Sequence, residues 1–279
     1  MTPTSDAPLQ PPNRLGLNKG SYAGEKIDIA AVVRDCEQAA KKDWRIEKIS
    51  FGSGREILAL TRIARPTNAP ARRAQNIYIS AGIHGDEPAG PLAIRRLLEA
   101  GLLPPDSDYT IFPCLNPDGF ALHQRENRDG RDLNREYLDP QAGEVQAHIS
   151  WLESRSIFDL CLCLHEDWEA HGFYVYELNP DDRPSLAKGM IEAVSHVCPI
   201  DRSEVIEGRP AHEGIIRPTV DPRARPQWPE SFYLLTHKTR LSYTLEAPSD
   251  FSLSTRVDSL VAAVRAALKV APPSPASHS

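Results

Sequence analysis

The sequence lacks the features that mark membrane and nucleic-acid-binding proteins. It has no apolar run of about 20 residues and no block of basic residues, and its 279 residues carry a formal net charge of −6. These absences argue against a bilayer-spanning segment and against a nucleic-acid or anionic-membrane partner. The N-terminal segment MTPTSDAPLQPPNRLG has neither a basic start nor an apolar core, so it does not match a secretory signal. We therefore expect a cytoplasmic protein.

Cysteine is scarce and odd in number, with five residues at Cys36, Cys114, Cys161, Cys163 and Cys198. Two of them lie inside the apolar run LCLCL, where a strand is predicted. We expect all five to be reduced, buried thiols, which argues against a disulfide framework and against a zinc-binding cysteine cluster.

Several common nucleotide-binding and catalytic motifs are also missing. The segment Gly52-Ser53-Gly54 joins two predicted strands and no helix follows it, which argues against a dinucleotide-binding loop. The glycine-rich GIHGDEPAG lacks the lysine of a phosphate loop, and the chain has no Gly-x-Ser-x-Gly elbow. Candidate chemistry must come from other residues.

Patterns of strands and helices alternate along the chain. Short apolar segments predict buried strands, namely NIYISAG, DYTIFPCL, FDLCLCLHE, GFYVYEL and LSYTLEAP. Segments with helical spacing lie between them, which predicts an α/β sandwich around a mixed or mostly parallel sheet. We expect one catalytic domain over residues 21–270, preceded by a flexible arm (1–20) and followed by a disordered tail (271–279).

Polar side chains follow four of the predicted buried strands. His84 and Glu87 follow the first, the loop 116–135 follows the second, and His165 and Glu246 lie at the mouths of two others. Open α/β sheets bind ligands at the carboxyl ends of their strands. The sequence therefore brings these groups to one edge of the sheet.

These residue types fit a catalytic zinc site, which needs three nitrogen or oxygen ligands and an open position for water. His84 and Glu87, three residues apart in one turn, could reach the same ion, and His165 could be the third ligand. Glu246 could then take a proton from the water. Each residue taken singly has an ordinary interpretation, as a surface histidine, a helix-terminal acid or a salt-bridge partner. Their common placement favours the metal site.

Five segments extend this pattern into a family resemblance. GIHGDE, NPDGF, GRDLNRE, LHED and TLEAP occur in an order that resembles the M14 zinc carboxypeptidases and their relatives, the aspartoacylases and succinylglutamate desuccinylases. The resemblance covers about residues 44–269. It implies a single-domain three-layer α/β sandwich, with a mixed, mostly parallel twisted sheet of about eight strands flanked by helices. It also implies one catalytic Zn²⁺ and hydrolysis of an amide bond beside a free carboxylate.

The resemblance assigns the ligands and the base residue by residue. It implies that zinc is held by His84, Glu87 and His165, and that Glu246 is the general base that activates a zinc-bound water. The tyrosine that the digestive enzymes carry near the base has no clear counterpart, since Tyr233 and Tyr243 are only neighbours in sequence.

The loop between the ligands carries the predicted substrate contacts. Asn134 and Arg135 match the family's pair that grips the substrate's terminal carboxylate, and a planar guanidinium can hold a carboxylate by two parallel hydrogen bonds. A solvated surface loop is the alternative interpretation of this charged segment. The family also uses an upstream arginine to stabilise the oxyanion. Arg125 fits this catalytic role by its spacing. Arg128, which we otherwise expect to bind substrate, is the alternative.

The function expected from these residues is that of a zinc-dependent metallocarboxypeptidase acting on a small peptide. The alternative is an N-acyl amino acid deacylase with the same metal site, and a third hypothesis is a catalytically silent binding module. The glycine-rich GIHGDE favours the deacylase and murein-peptide-amidase branches over the digestive enzymes. The expected partner is a small peptide or N-acyl amino acid with a free carboxylate.

Overall fold

The computed structural model describes residues 15–16, 25–65, 74–219 and 221–270. The predicted tail (271–279) and all of the predicted N-terminal arm except residues 15 and 16 lie outside the described residues. Across the described ranges, no helix combines the length and the apolar character that crossing a bilayer requires.

Ten strands of the described chain form one sheet. They are β1 (Arg45–Gly52), β2 (Arg55–Arg62), β3 (Asn76–Ala81), β4 (Asp108–Phe112), β5 (Leu160–Asp167), β6 (Tyr174–Leu178), β7 (Val205–Ile206), β8 (Arg209–His212), β9 (Ile215–Ile216) and β10 (Ser242–Pro248). Their order across the sheet is β1-β2-β4-β3-β5-β10-β6-β9-β8-β7. The five strands predicted from apolar segments are β3, β4, β5, β6 and β10.

The centre of the sheet is parallel and its two sides are mixed. Strands β4, β3, β5 and β10 pair in parallel. Strands β1 and β2 extend one side by antiparallel pairing, and β6 joins β10 antiparallel on the other. The predicted mixed sheet is confirmed, and among the named strands of the described residues the parallel pairs are these central ones and β6 with β9.

The sheet has ten strands where about eight were expected. Strands β7 to β9 fall within residues 205–216, outside the segments that the sequence predicted as strands. Each of the three has only two to four residues, so none is long enough to show an alternating pattern.

Seven helices cover the two faces of the sheet in the described residues. They are α1 (Ile29–Ala40), α2 (Ala89–Glu99), α3 (Pro117–Leu122), α4 (Gly143–Glu153), α5 (Ala187–Ser195), α6 (Glu230–His237) and α7 (Leu253–Val270). One core packs α1, α2, α5 and α7 against the sheet, and a second packs α4 and α6 against the other face. Along β3, Ile77 and Ile79 enter the first core and Tyr78 enters the second. This is the three-layer sandwich that the sequence predicted.

All five cysteines are buried and free, as expected. Burial raises the pKa of the Cys36 thiol, for example, to about 12, so this thiol is not reactive at neutral pH.

The turn between β3 and α2 is packed against the loop that follows β4. A Cβ atom added at Gly85 would lie 2.0 Å from the carbonyl carbon of Gly119 and 2.4 Å from the backbone nitrogen of Phe120. Only a residue without a side chain allows this approach, because backbone atoms cannot move aside as a flexible side chain can. Gly85 thus fixes where the turn carrying His84 and Glu87 lies.

We predict that Gly85→Ala lowers the free energy of unfolding by about 3 kcal/mol or more, because the methyl group overlaps the backbone of residues 119 and 120. Gly189→Ala is the matched control: Gly189 lies within α5 with nothing within 4 Å of the added Cβ. That change should stabilise by about 0.5–1 kcal/mol through helix propensity. Urea unfolding measures both, and equal midpoints for the two variants would contradict the packing argument.

Candidate active site

Three side chains that could bind a metal ion converge at the carboxyl ends of β3 and β5. His84, Glu87 and His165 are all buried, and one ligand atom from each lies within 4.8 Å of the others. The Glu87 carboxylate lies between the imidazoles, with Oε1 2.5 Å from His84 Nδ1 and Oε2 3.1 Å from His165 Nδ1. Two imidazole nitrogens and one carboxylate form a donor set that suits zinc and leaves a position for water.

The electrostatics of this cluster also fit a metal cation. Burial alone would lower the pKa of His84 and of His165, but Glu87, helped by Asp132 at His84 and by Glu246 at His165, raises both pKa values. Burial alone would raise the pKa of Glu87, yet the two imidazoles bring it far below the usual range of a glutamate. Glu87 is therefore a buried anion that needs a positive partner. A divalent ion can be that partner by displacing the imidazole protons.

Neighbouring groups orient the cluster. Asp132 Oδ1 is 3.3 Å from His84 Nε2, and its Oδ2 accepts a hydrogen bond of 3.0 Å from Arg125 Nε. The backbone N–H of Glu166 donates to Glu87 Oε2 at 3.1 Å. Carboxylates and N–H groups behind metal ligands commonly fix the ligands' orientation and charge. Asp132 lies in such a position behind His84.

Glu246 lies beside the cluster, because β10 and β5 pair in a register that places it opposite His165. It is half-buried and lines the same cavity. Burial raises the pKa of its carboxyl well above the usual range, His165 opposes this shift, and the Glu87 carboxylate adds to it. A carboxyl with a raised pKa binds a proton more readily than an ordinary glutamate does, which suits proton transfer.

The cluster opens into a cavity of about 700 Å³. Arg125, Asn134 and Arg135 all line it, together with the three candidate ligands and Glu246. Arg128 is not one of the described residues that line the cavity. Its side chain is exposed, with Nη2 3.7 Å from Asp118 Oδ1.

Arg125 and Arg135 differ in what holds them. Arg125 lies against the cluster, with Nη1 3.7 Å from Glu87 Oε1 in addition to its bond to Asp132. Arg135 donates from Nη1 to the backbone oxygen of Asn134 at 2.9 Å, and no ion-pair partner is found for it in the described part of the chain. Its guanidinium is therefore available to an anionic ligand in the cavity.

The two tyrosines near Glu246 in the sequence do not line the cavity. Tyr243 is fully buried and donates a hydrogen bond of 2.8 Å to Glu177, and neither it nor Tyr233 lines the cavity. Tyr176 on β6 does line it, and its hydroxyl donates to Glu207 at 2.5 Å.

Sequence reasoning missed the buried ion pair behind the cluster. Glu166 accepts hydrogen bonds of 2.5 Å from the Ala89 N–H and from Arg256 Nη1, and the Arg256 side chain is only 1% exposed. Burial raises the pKa of the Glu166 carboxyl to about 7, and Arg256 opposes that shift. A usable signal was present, because Arg256 interrupts the apolar face of α7 formed by residues such as Val257 and Leu260. A charge at a core-facing position usually has a buried partner.

The catalytic-domain profile described as "Succinylglutamate desuccinylase/Aspartoacylase catalytic domain" matches residues 73–169, the segment with all three candidate ligands. Murein peptide amidase A of Escherichia coli (strain K12) is 33% identical over 121 residues, which cover 42% of this chain and 50% of that protein. Carboxypeptidase SOL1 of Arabidopsis thaliana is 28% identical over 165 residues, which cover 51% of this chain and 33% of that protein. The chain thus spans about half the length of the first relative and a third of the second.

Solved structures agree on the fold. A candidate metallopeptidase from Shewanella denitrificans OS217 superposes with a TM-score of 0.73 at 21% identity, covering 91% of this chain and 99% of that one. A metallo-carboxypeptidase from Pseudomonas aeruginosa superposes with a TM-score of 0.64 at 19% identity, covering 88% of this chain and 69% of that one. Together with the sequence matches, they confirm the predicted resemblance to M14-like metallohydrolases. The matched proteins are metallopeptidases, carboxypeptidases and amidases, in agreement with the predicted class of hydrolytic enzyme.

We predict that Arg256→Met lowers the free energy of unfolding by about 3–5 kcal/mol, because it leaves the Glu166 carboxylate buried without its cation. The double variant Glu166→Gln/Arg256→Met should recover part of that loss, since no buried charge remains. Arg95→Met is the control, because Arg95 pairs with Asp35 at a half-exposed site and its loss should cost less than about 1 kcal/mol. Urea unfolding of the metal-loaded proteins makes the comparison, and a double variant less stable than Arg256→Met would refute this account.

Proposed function

We propose that this chain, from its resemblance to the M14-like metallohydrolases, is a zinc-dependent metallocarboxypeptidase that hydrolyses the amide bond next to a free carboxylate of a small peptide. The observation that carries the proposal is a single cavity that holds a buried His-Glu-His cluster, a carboxyl group beside it, and an arginine available to bind an anion.

His84, Glu87 and His165 would hold one zinc ion. When bound, zinc would supply an activated water and polarise the carbonyl of the scissile amide. The donor set supports zinc over magnesium or calcium, since those ions prefer oxygen ligands alone.

Glu246 would act as the general base. Its position opposite His165 brings it next to the cluster, where it could take a proton from the attacking water and pass it to the leaving nitrogen. Arg125, which lies against Glu87 and Asp132, would donate hydrogen bonds to the oxyanion as the carbonyl becomes tetrahedral. The exposed position of Arg128 makes it the weaker candidate for that role.

Arg135 and Asn134 would bind the terminal carboxylate of the substrate. The Arg135 guanidinium can offer two parallel N–H groups, and the Asn134 amide can add a neutral donor. Because both line the cavity that contains Glu246, a carboxylate held there would present the neighbouring amide to the cluster.

An N-acyl amino acid deacylase is the second candidate, favoured by the desuccinylase and aspartoacylase profile over residues 73–169. It would use the same groups and differ in what fills the rest of the cavity. A panel of short peptides, γ-D-glutamyl-diaminopimelate peptides and N-acyl amino acids separates the candidates by their relative kcat/KM. The γ-glutamyl substrates are included because of the similarity to murein peptide amidase A.

We predict that the purified protein holds about one zinc equivalent, and that Glu246→Gln retains this zinc while kcat falls by about 10²–10⁴-fold, because an amide cannot accept the proton. Metal analysis and the substrate panel provide the measurements. A parent protein that stays below half an equivalent after reconstitution, or a Glu246→Gln variant as fast as the parent, would sink the proposal and revive a silent binding module.

We predict that Arg135→Ala costs about 2–5 kcal/mol in kcat/KM, as expected when one partner of a desolvated charge pair is removed. Arg135→Lys should recover only part, because a single ammonium cannot reproduce the two-bond fork. Substrates with an amidated terminal carboxylate should have a low kcat/KM with the parent enzyme. Their kcat/KM should fall little further with Arg135→Ala.

Arg131→Ala is the matched control in the same loop, since Arg131 pairs with Glu136 at an exposed site and should leave the kinetics near those of the parent. If Arg135→Ala keeps the parent's preference for the free acid, the anchor lies elsewhere. Arg225 is then the next candidate, because it lines the cavity without an ion-pair partner in the described ranges.

A further inference from the structure

A buried carboxylate that the proposed mechanism does not use lies between two residues that line the cavity, Pro229 and Ser231. Glu230 is the first residue of α6 and is 1% exposed. Its Oε1 accepts a hydrogen bond of 2.5 Å from Tyr78, and its Oε2 accepts one of 2.9 Å from Ser80. Both donors are on β3, so the side chain of Glu230 ties the start of α6 to the strand that leads into the candidate metal cluster.

The direction of the hydrogen bonds behind Glu230 can be derived. Tyr78 donates its only hydroxyl proton to Glu230, so the contact of 3.0 Å with His148 Nε2 requires that this nitrogen carries the proton. His148 Nδ1 then accepts from the Tyr137 hydroxyl at 2.8 Å. Burial lowers the pKa of His148 to about 3, so the ring is neutral, as this arrangement needs. The series Tyr137, His148, Tyr78 and Glu230 therefore has one consistent set of donors and acceptors.

The backbone of Glu230 connects this series to the cavity. Its N–H donates a hydrogen bond of 2.9 Å to Oδ1 of Asn134. The first N–H groups of a helix have no partner within the helix, so Asn134 caps α6 from a distant loop. An N–H donor also decides which end of the amide is oxygen. The NH₂ group of Asn134 is thus the end left for a ligand in the cavity that this residue lines.

A single hydrogen bond to Asn134 would not hold the amide in place unless its donor were itself fixed. Glu230 is fixed by both carboxylate oxygens, and its side chain reaches the same strand from which the turn with His84 and Glu87 begins. Glu230 therefore connects the Asn134 amide to the strand that leads into the metal cluster.

We propose that Glu230 is a positioning residue, whose carboxylate, held by Tyr78 and Ser80, keeps the Asn134 amide aimed at the terminal carboxylate of the substrate. The expected effect on substrate binding rests on the proposed function. The statement that Glu230 holds Asn134 in place rests on the contacts alone.

The kinetic test compares Glu230→Ala with Glu230→Gln. With Glu230→Ala, KM for a free-acid substrate should rise about tenfold relative to the parent, and KM for the amidated substrate should stay within about twofold, because only the former uses Asn134. Glu230→Gln should restore KM, since its oxygen can accept from Tyr78 and its NH₂ can donate to Ser80. A purely structural role would lower the active fraction and kcat for both substrates, without a selective change in KM.

Tyr78→Phe tests the contact between Glu230 and β3, because it removes the hydroxyl group and keeps the ring. It removes one donor to Glu230 and should raise KM for the free acid alone, by less than Glu230→Ala does. Tyr109→Phe is the matched control, at a buried tyrosine on β4 that packs against Trp44 and Arg62. Equal effects of the two tyrosine changes on the ratio of KM values would overturn the proposal.

A double-mutant cycle measured on protein stability, without substrate, separates this inference from the proposed function. The free energies of unfolding of Glu230→Ala, Asn134→Ala and the double variant should be non-additive, because the second change removes a bond that the first has already weakened. Additive values overturn the positioning role. A parent that hydrolyses no member of the substrate panel defeats the proposed function, while the cycle still decides whether Glu230 holds Asn134.

Discussion

The buried Glu87 carboxylate lies between two imidazoles, and this contact constrains much of the surrounding structure. A buried anion is costly unless cations and hydrogen bonds surround it. His84 and His165 provide the positive partners, the Glu166 N–H adds a hydrogen bond, and Arg125 completes the surroundings at 3.7 Å. Each of these groups comes from a different part of the chain except for the neighbours 165 and 166. The sheet must therefore hold several strand ends in register before the carboxylate is stable.

The same requirement explains why the polar groups behind the cluster are paired so completely. Glu166 follows His165 directly, so its side chain points to the opposite face of β5, into the core with α2 and α7. There Arg256 and the Ala89 N–H satisfy it. The pair connects the end of β5 to the start of α2, the helix that follows the turn with Glu87. The buried ion pair of Glu166 and Arg256 thus also restrains Glu87, which faces the cavity.

The sequence predicted those parts of the site that short-range patterns encode. A strand followed by polar residues was sufficient to bring His84, Glu87, His165 and Glu246 to one edge, because the ends of parallel strands meet there. The short strands β7 to β9 escaped prediction, since two to four residues cannot establish a period. The choice between Arg125 and Arg128 also depended on the path of a loop without period. Three-dimensional contacts bring the first to Glu87 and leave the second exposed.

Under the proposed function, strand β3 would connect the metal cluster to the residues that bind the substrate. Its carboxyl end leads into the turn with two of the three candidate ligands, while Tyr78 and Ser80, on the face toward α6, bind the carboxylate of Glu230. An enzyme that cleaves beside a carboxylate must keep a fixed distance between the reacting amide and the anchor, since small displacements from the reactive geometry are costly. Attaching both ends of that distance to one buried strand limits its variation, because a central strand paired on both sides is among the least mobile parts of a sheet.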